Sequence, residues 1–187
     1  MSGKRSKALK SDIALFGNLK VIASSALMVA LSIICGKFLA IPGGTVMRFS
    51  LENMPILFSA IAFGPLVGSV VGVIADLVGC LIVGYEINPM VTLGAFSIGF
   101  IGGVVSKLMP RGARAINILV SVISAHLIGS VVIKTIGLAK FYAIPYETLM
   151  LWRLLNYLIV GALDFTVLYI LFRNKAINAQ IEKIKQK

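Results

Sequence analysis

Six predominantly apolar stretches run along the chain, at 18–41, 52–63, 66–83, 89–109, 115–138 and 146–172, separated by short breaks of glycine, proline or charge. A bilayer core about 30 Å thick takes roughly 20 helical residues to cross, so every stretch except the second is long enough to span one. Gly64-Pro65 follows that short second stretch directly. The pattern therefore predicts a tilted or partial second helix that turns tightly into the third, with the backbone of the turn satisfied inside the protein. The predicted fold class is an all-α integral membrane protein, a compact bundle of six transmembrane helices in one domain over 1–187. Basic segments at 1–17 and 174–187 flank the bundle.

Composition removes the soluble alternatives. Of 187 residues, 58% are hydrophobic and 13% charged, and the mean hydropathy is +0.97, too apolar for a water-soluble domain of this length. The polar start MSGKRSKALKSD precedes an apolar stretch without a small-residue cleavage site, so no removable signal peptide is expected. A net charge of +11 would suggest nucleic acid in a soluble protein, but its distribution points to the bilayer instead. Lys4, Arg5, Lys7, Lys10 and Lys20, then Lys107, Arg111 and Arg114, then Arg173, Lys175, Lys183, Lys185 and Lys187 fall on one side when loops alternate. The positive-inside rule makes that side, and both termini, cytoplasmic in a multi-pass protein of the cell membrane. The tail from Asn174 reads as a basic helical extension that is either solvated or set against anionic headgroups. Cys35 and Cys80 lie in apolar stretches without metal-ligand spacing, so neither zinc nor a disulfide framework is expected.

Ionisable groups inside a bilayer cost roughly 2.5–3.5 kcal/mol each and mark cavities or partners. Lys37, Arg48, Lys134 and Arg153 converge at the outer level of the bundle. His126, Ser130 and Lys134 follow i, i+4, i+8 spacing on one face of the fifth helix. Trp152, Arg153, Asn156 and Tyr157 crowd the start of the sixth, a mixture suited to a small ligand, although Trp and Tyr also form interfacial belts. Asp76 and Asp164 sit deeper, where each needs a cation, a proton or a donor-rich ligand, an interhelical ion pair being the plain alternative. No HExxH, Walker A or nucleophile signature is present, so catalytic residues, metal ligands and ATP hydrolysis are not expected on this chain. Gly64, Gly68, Gly72 and Gly79 suit close internal packing. Ala26 and Ala30, one turn apart among bulky neighbours, leave a shallow groove that a partner helix could enter.

The stretch MRFSLENMPILFSAIAFGPLVGSVVGVIADLVG, with INPMVTLGA and the Ala26-x-x-x-Ala30 pair, resembles substrate-binding S components of energy-coupling-factor vitamin transporters, most similarly the folate-specific members. The resemblance covers nearly the whole chain. It implies six helices, high-affinity capture of one vitamin from outside, and docking through the alanine pair onto a transmembrane T component that works with two ATPases. No cofactor is implied. Folate has a pterin edge that a carboxylate can accept from, rings that aromatics can flank, and an anionic tail that Arg or Lys can hold. From depth and charge, Asp76 and then Asp164 are candidates for the pterin, and Arg48, Lys134 and Arg153 for the tail. Lys37, Ser50, Asn88, His126, Ser130, Trp152 and Asn156 complete the candidate set, with the loop 42–52 and its Gly43-Gly44 as a lid. Another vitamin such as thiamine or riboflavin is the alternative within the class, and a membrane enzyme the alternative outside it.

Overall fold

The computed structural model describes residues 15–43, 48–110 and 113–186. Lys4, Arg5, Lys7, Lys10, Gly44, Arg111 and Lys187 lie outside the described residues. The chain forms helices α1 (Leu19–Phe38), α2 (Asn53–Phe63), α3 (Pro65–Val83), α4 (Pro89–Leu108), α5 (Arg114–Tyr142), α6 (Tyr146–Arg173) and α7 (Lys175–Lys185). All but α2 and α7 are long and apolar enough to cross a membrane. The six apolar helices match the six apolar stretches, the second being short as expected.

Local chemistry sets the boundaries. The Asn18, Asn88 and Asn174 side chains accept from the backbone N–H groups of Lys20, Met90 and Ala176 at 3.0, 3.0 and 2.8 Å, capping α1, α4 and α7. Proline opens both α3 and α4, where its missing N–H costs nothing. Gly84 closes α3 in the left-handed region at φ 70.

Two departures from the expected pattern both touch the outer end. The stretch 42–52, expected as a loop, overlaps a small antiparallel hairpin in which β1 (Ile41–Pro42) pairs with β2 (Arg48–Phe49). In addition, α1 and α5 widen into π-helical turns at Ile34–Phe38 and His126–Ile133, a feature frequent at functional sites and invisible to 3.6-residue periodicity. His126, Ser130 and Lys134 are all buried, but they serve different neighbours: His126 turns toward α6 and Lys134 toward the start of α2.

Glycine brings the helices together. At the α3–α4 crossing a Cβ on Gly99 would collide with the Gly68 backbone, and one on Gly103 would lie 2.5 Å from Cα of Pro65. Gly68 also meets Ala60, folding α2 back along α3 after the tight Gly64-Pro65 corner. The buried Ser59 and Ser69 hydroxyls donate to the carbonyls of Pro55 and Pro65, one turn back, at 2.9 and 2.7 Å. Below these contacts Ile56, Leu57, Val67, Ile98, Ile118, Val122 and Leu168 form an apolar core, and α7 adds Ile181, with Ile177 and Ile184 packed beside it. Asn18 fastens α7 by donating to the Ile184 carbonyl at 2.7 Å, so the basic tail is a helix docked on the bundle. The large apolar side chains that remain exposed, among them Leu27, Leu81 and Leu158, face outward as lipid contact requires.

Candidate substrate-binding site

A cavity of ≈ 430 Å³ opens at the end of the bundle that carries the hairpin, within the ordinary size range of small-ligand sites. Lys37, Arg48, Ser50, Asp76, Asn88, Lys134 and Arg153, all singled out in the sequence, line it. They arrive from α1, the hairpin, α3, the α3–α4 loop, α5 and α6, a convergence that residues far apart in sequence achieve only through the fold. A larger cavity, ≈ 900 Å³, opens at the other end against α7 and holds none of the candidates.

Three of the acids at or beneath the site are already engaged, while Glu86 is exposed on the cavity wall. Lys134, 4% exposed, donates to Glu52 Oε1 at 3.0 Å across 82 residues of sequence, and Ser32 Oγ donates to the Glu52 carbonyl at 2.6 Å. Asp76 Oδ2 accepts from the Thr92 hydroxyl at 2.7 Å. Asp164, with no exposure, accepts from His126 Nε2 at 2.8 Å. The cations are not so matched. Arg153, 8% exposed, donates to the Ser130 carbonyl from Nη2 at 2.9 Å and to the Tyr157 hydroxyl at 3.2 Å. Arg48 and Lys37 lie 5.2 and 5.6 Å from the centroid of the Tyr85 ring, a cation–π arrangement. Among the described residues no carboxylate comes within ion-pair reach of Arg153, Arg48 or Lys37.

Five candidates stand outside the cavity wall. Asn156 donates to the Arg48 carbonyl at 3.2 Å and so tethers the hairpin to α6. Ser130 supplies the carbonyl under Arg153, and His126 and Asp164 pair in the layer beneath. Trp152 is placed elsewhere: Arg153, Asn156, Val160, Asp164 and Leu168 form the inward stripe of α6, and the adjacent Trp152 falls on the outer surface, 54% exposed. Glu52, Tyr85, Glu86, Phe141, Tyr142 and Tyr157 also line the cavity. Glu52 was hidden at the edge of an apolar stretch; Tyr157 was marked by its crowding with Arg153 and Asn156, whereas Tyr85, Phe141 and Tyr142 had no sequence signal beyond their place near a helix end.

A family model described as the S component of the ECF-type riboflavin transporter matches residues 17–177. The chain belongs to this family. The fold is similar to that of FolT bound with folic acid, with a TM-score of 0.66 at 21% identity over 81% of this chain and 91% of that one. It is also similar to the S component of a bacterial ECF transporter, with a TM-score of 0.64 at 15% identity over 82% and 94%. A third likeness is to the S-component for biotin from an ECF-type ABC transporter, with a TM-score of 0.62 at 23% identity over 83% and 92%. No curated protein matches in sequence. The chain is thus an S component of a vitamin transporter, a multi-pass membrane protein.

Removing one member of the Lys134–Glu52 pair leaves a buried charge uncompensated, whereas removing both leaves none. Glu52→Gln and Lys134→Met should each destabilise the protein by about 2–4 kcal/mol, and the double variant by less than the two together. Denaturation of the purified protein in detergent measures this; additive losses would mean that the two groups do not interact.

Proposed function

We propose that this S component binds folate or a reduced folate in the outer cavity and hands it on without chemical change. The observation that carries the reading is Arg153, buried on the cavity wall with only a carbonyl and a phenol as partners. A buried guanidinium without a counter-ion is costly, and a ligand carboxylate would supply one in bidentate form. Folate brings carboxylates together with flat rings that Tyr85, Phe141, Tyr142 and Tyr157 can flank. Asp76, on the opposite wall with one oxygen bonded to Thr92, is the acceptor for the pterin edge, while Arg48 and Lys37 hold the rest of the anionic tail. Ser50, Asn88 and Lys134 complete the wall. Riboflavin is the second reading, favoured by the description of the matching family model. It is uncharged and would leave Arg153 without a counter-ion.

The hairpin region 42–52 acts as the lid, tethered through Asn156 to Arg48 and through Ser32 and Lys134 to Glu52. Docking uses α1. Ala26 and Ala30 are both exposed on its outward face, about three and two helical turns before the cavity residue Lys37. A T component helix can approach there without entering the site, the ATPases being supplied by its complex. Both termini then face the cytoplasm. The domain is a single unit over 1–187, and no cofactor is required.

Three outcomes follow. Mass spectrometry of ligand retained by gently purified protein should find a folate, and Arg153→Ala and Arg48→Ala should each weaken folic acid binding by about 1.5–3 kcal/mol in calorimetry; retained riboflavin with unchanged affinities in both variants would decide for the second reading. Replacing Ala26 and Ala30 together with Trp should abolish complex assembly and uptake while purified protein still binds ligand, and full transport by that variant would remove the docking role. A tag placed after Lys187 should stay protected from impermeant reagents in intact cells; labelling from outside would reverse the orientation.

A further inference from the structure

Beneath the cavity, His126 and Asp164 form a second, buried polar layer. Asp164 lies 2.8 Å from His126 Nε2; an ionised carboxylate can only accept, and in that charge state the imidazole carries a proton on Nε2. On the other side of the ring, Nδ1 lies 3.3 Å from the Ser130 hydroxyl. The face of the imidazole meets the Tyr157 ring, with centroids 5.1 Å apart and planes tilted by 31°. Both of those neighbours hold Arg153: the Ser130 carbonyl accepts from Nε and Nη2 at 3.3 and 2.9 Å, and the Tyr157 hydroxyl accepts from Nη2 at 3.2 Å. Among the described residues, every hydrogen bond of the Arg153 guanidinium thus ends on a residue that His126 contacts, through the Ser130 hydroxyl and the Tyr157 ring.

We propose that His126 and Asp164 are positioning residues of the vitamin site. Asp164 fixes the imidazole, the imidazole fixes Ser130 and Tyr157, and these aim the buried guanidinium of Arg153 at the ligand's anionic group. The role rests on the reading of the outer cavity as the vitamin site. Packing alone is a poor account of the dyad, because an ionisable pair set deep between α5 and α6 is costly in a membrane, and apolar side chains of the same volume would fill that space. The π-helical turns of α5 begin at His126, a feature frequent at functional sites.

The decisive variant is His126→Phe with Asp164→Leu in the full chain, reconstituted in nanodiscs. Phe keeps a ring against Tyr157, and removing both polar partners leaves no orphaned charge, so the melting temperature should stay near that of the natural protein. Folic acid affinity should fall at least tenfold. A folded double variant with unchanged affinity overturns the proposal. Should that variant fail to fold, the natural protein gives a second measurement. His126 is the only histidine in the chain, so histidine-selective ¹⁵N labelling yields one imidazole spin system; saturating folic acid should shift it, and an unshifted signal overturns the proposal. Arg153→Ala separates the two levels. If it binds folic acid as tightly as the natural protein, the vitamin-site reading fails and the positioning role falls with it. If it binds weakly while the double variant binds normally, only the role of the dyad fails.

Discussion

The ion pair between Lys134 and Glu52 holds the outer end of the bundle in the shape that makes a site. Glu52 precedes α2, which has 11 residues, whereas its neighbour α3 has 19. At 1.5 Å per residue the shorter helix falls short of the longer by roughly 12 Å. Since the Gly64-Pro65 corner levels the two at one end, the whole deficit appears at the other, above Glu52. That recess is the cavity. A free carboxylate at its floor would be expensive in a membrane, and Lys134, reaching across from α5, both neutralises it and prevents α2 from sliding. Ser32 adds a bond from α1 to the same residue, so three helices meet at one loop end.

Much of this was legible in the chain, for reasons that differ between levels. The spans emerged because a bilayer imposes a long apolar run on each crossing, and the short second helix emerged because Gly64-Pro65 cut it off. The convergence of Lys37, Arg48, Lys134 and Arg153 was legible too, since cations are so rarely tolerated in apolar stretches that the few present share a level. Pairing was not. Nothing local tells Lys134 that its partner stands 82 residues away at Glu52, or Asp164 that His126 will meet it. Trp152 illustrates another limit. Beside Arg153 in sequence, it sits about 100° away on the helix, and that rotation separates the cavity wall from the lipid. The π-helical turns and the hairpin also escaped, because a period of 3.6 residues describes neither.

The scaffold and the specificity are separable. Backbone contact between Gly68 and Gly99, the Ala60–Gly68 contact and the recessed α2 concern shape alone, and similar folds occur in proteins described as binding folic acid and biotin. Fold likeness therefore cannot choose the vitamin. The choice has to be read from the groups that the scaffold leaves unsatisfied. Glu52, Asp76 and Asp164 each have a partner within the protein and Glu86 is exposed, whereas the buried Arg153, with Arg48 and Lys37, rests on a carbonyl, tyrosine hydroxyls and rings. A cationic ligand such as thiamine would add to that surplus, a neutral one would leave it standing, and an anionic one would neutralise it. Among thiamine, riboflavin and folate, folate alone combines negative charge with extended aromatic surface, which suits both the bare guanidinium and the aromatic wall, and for that reason charge pairing favours it more than likeness of fold does.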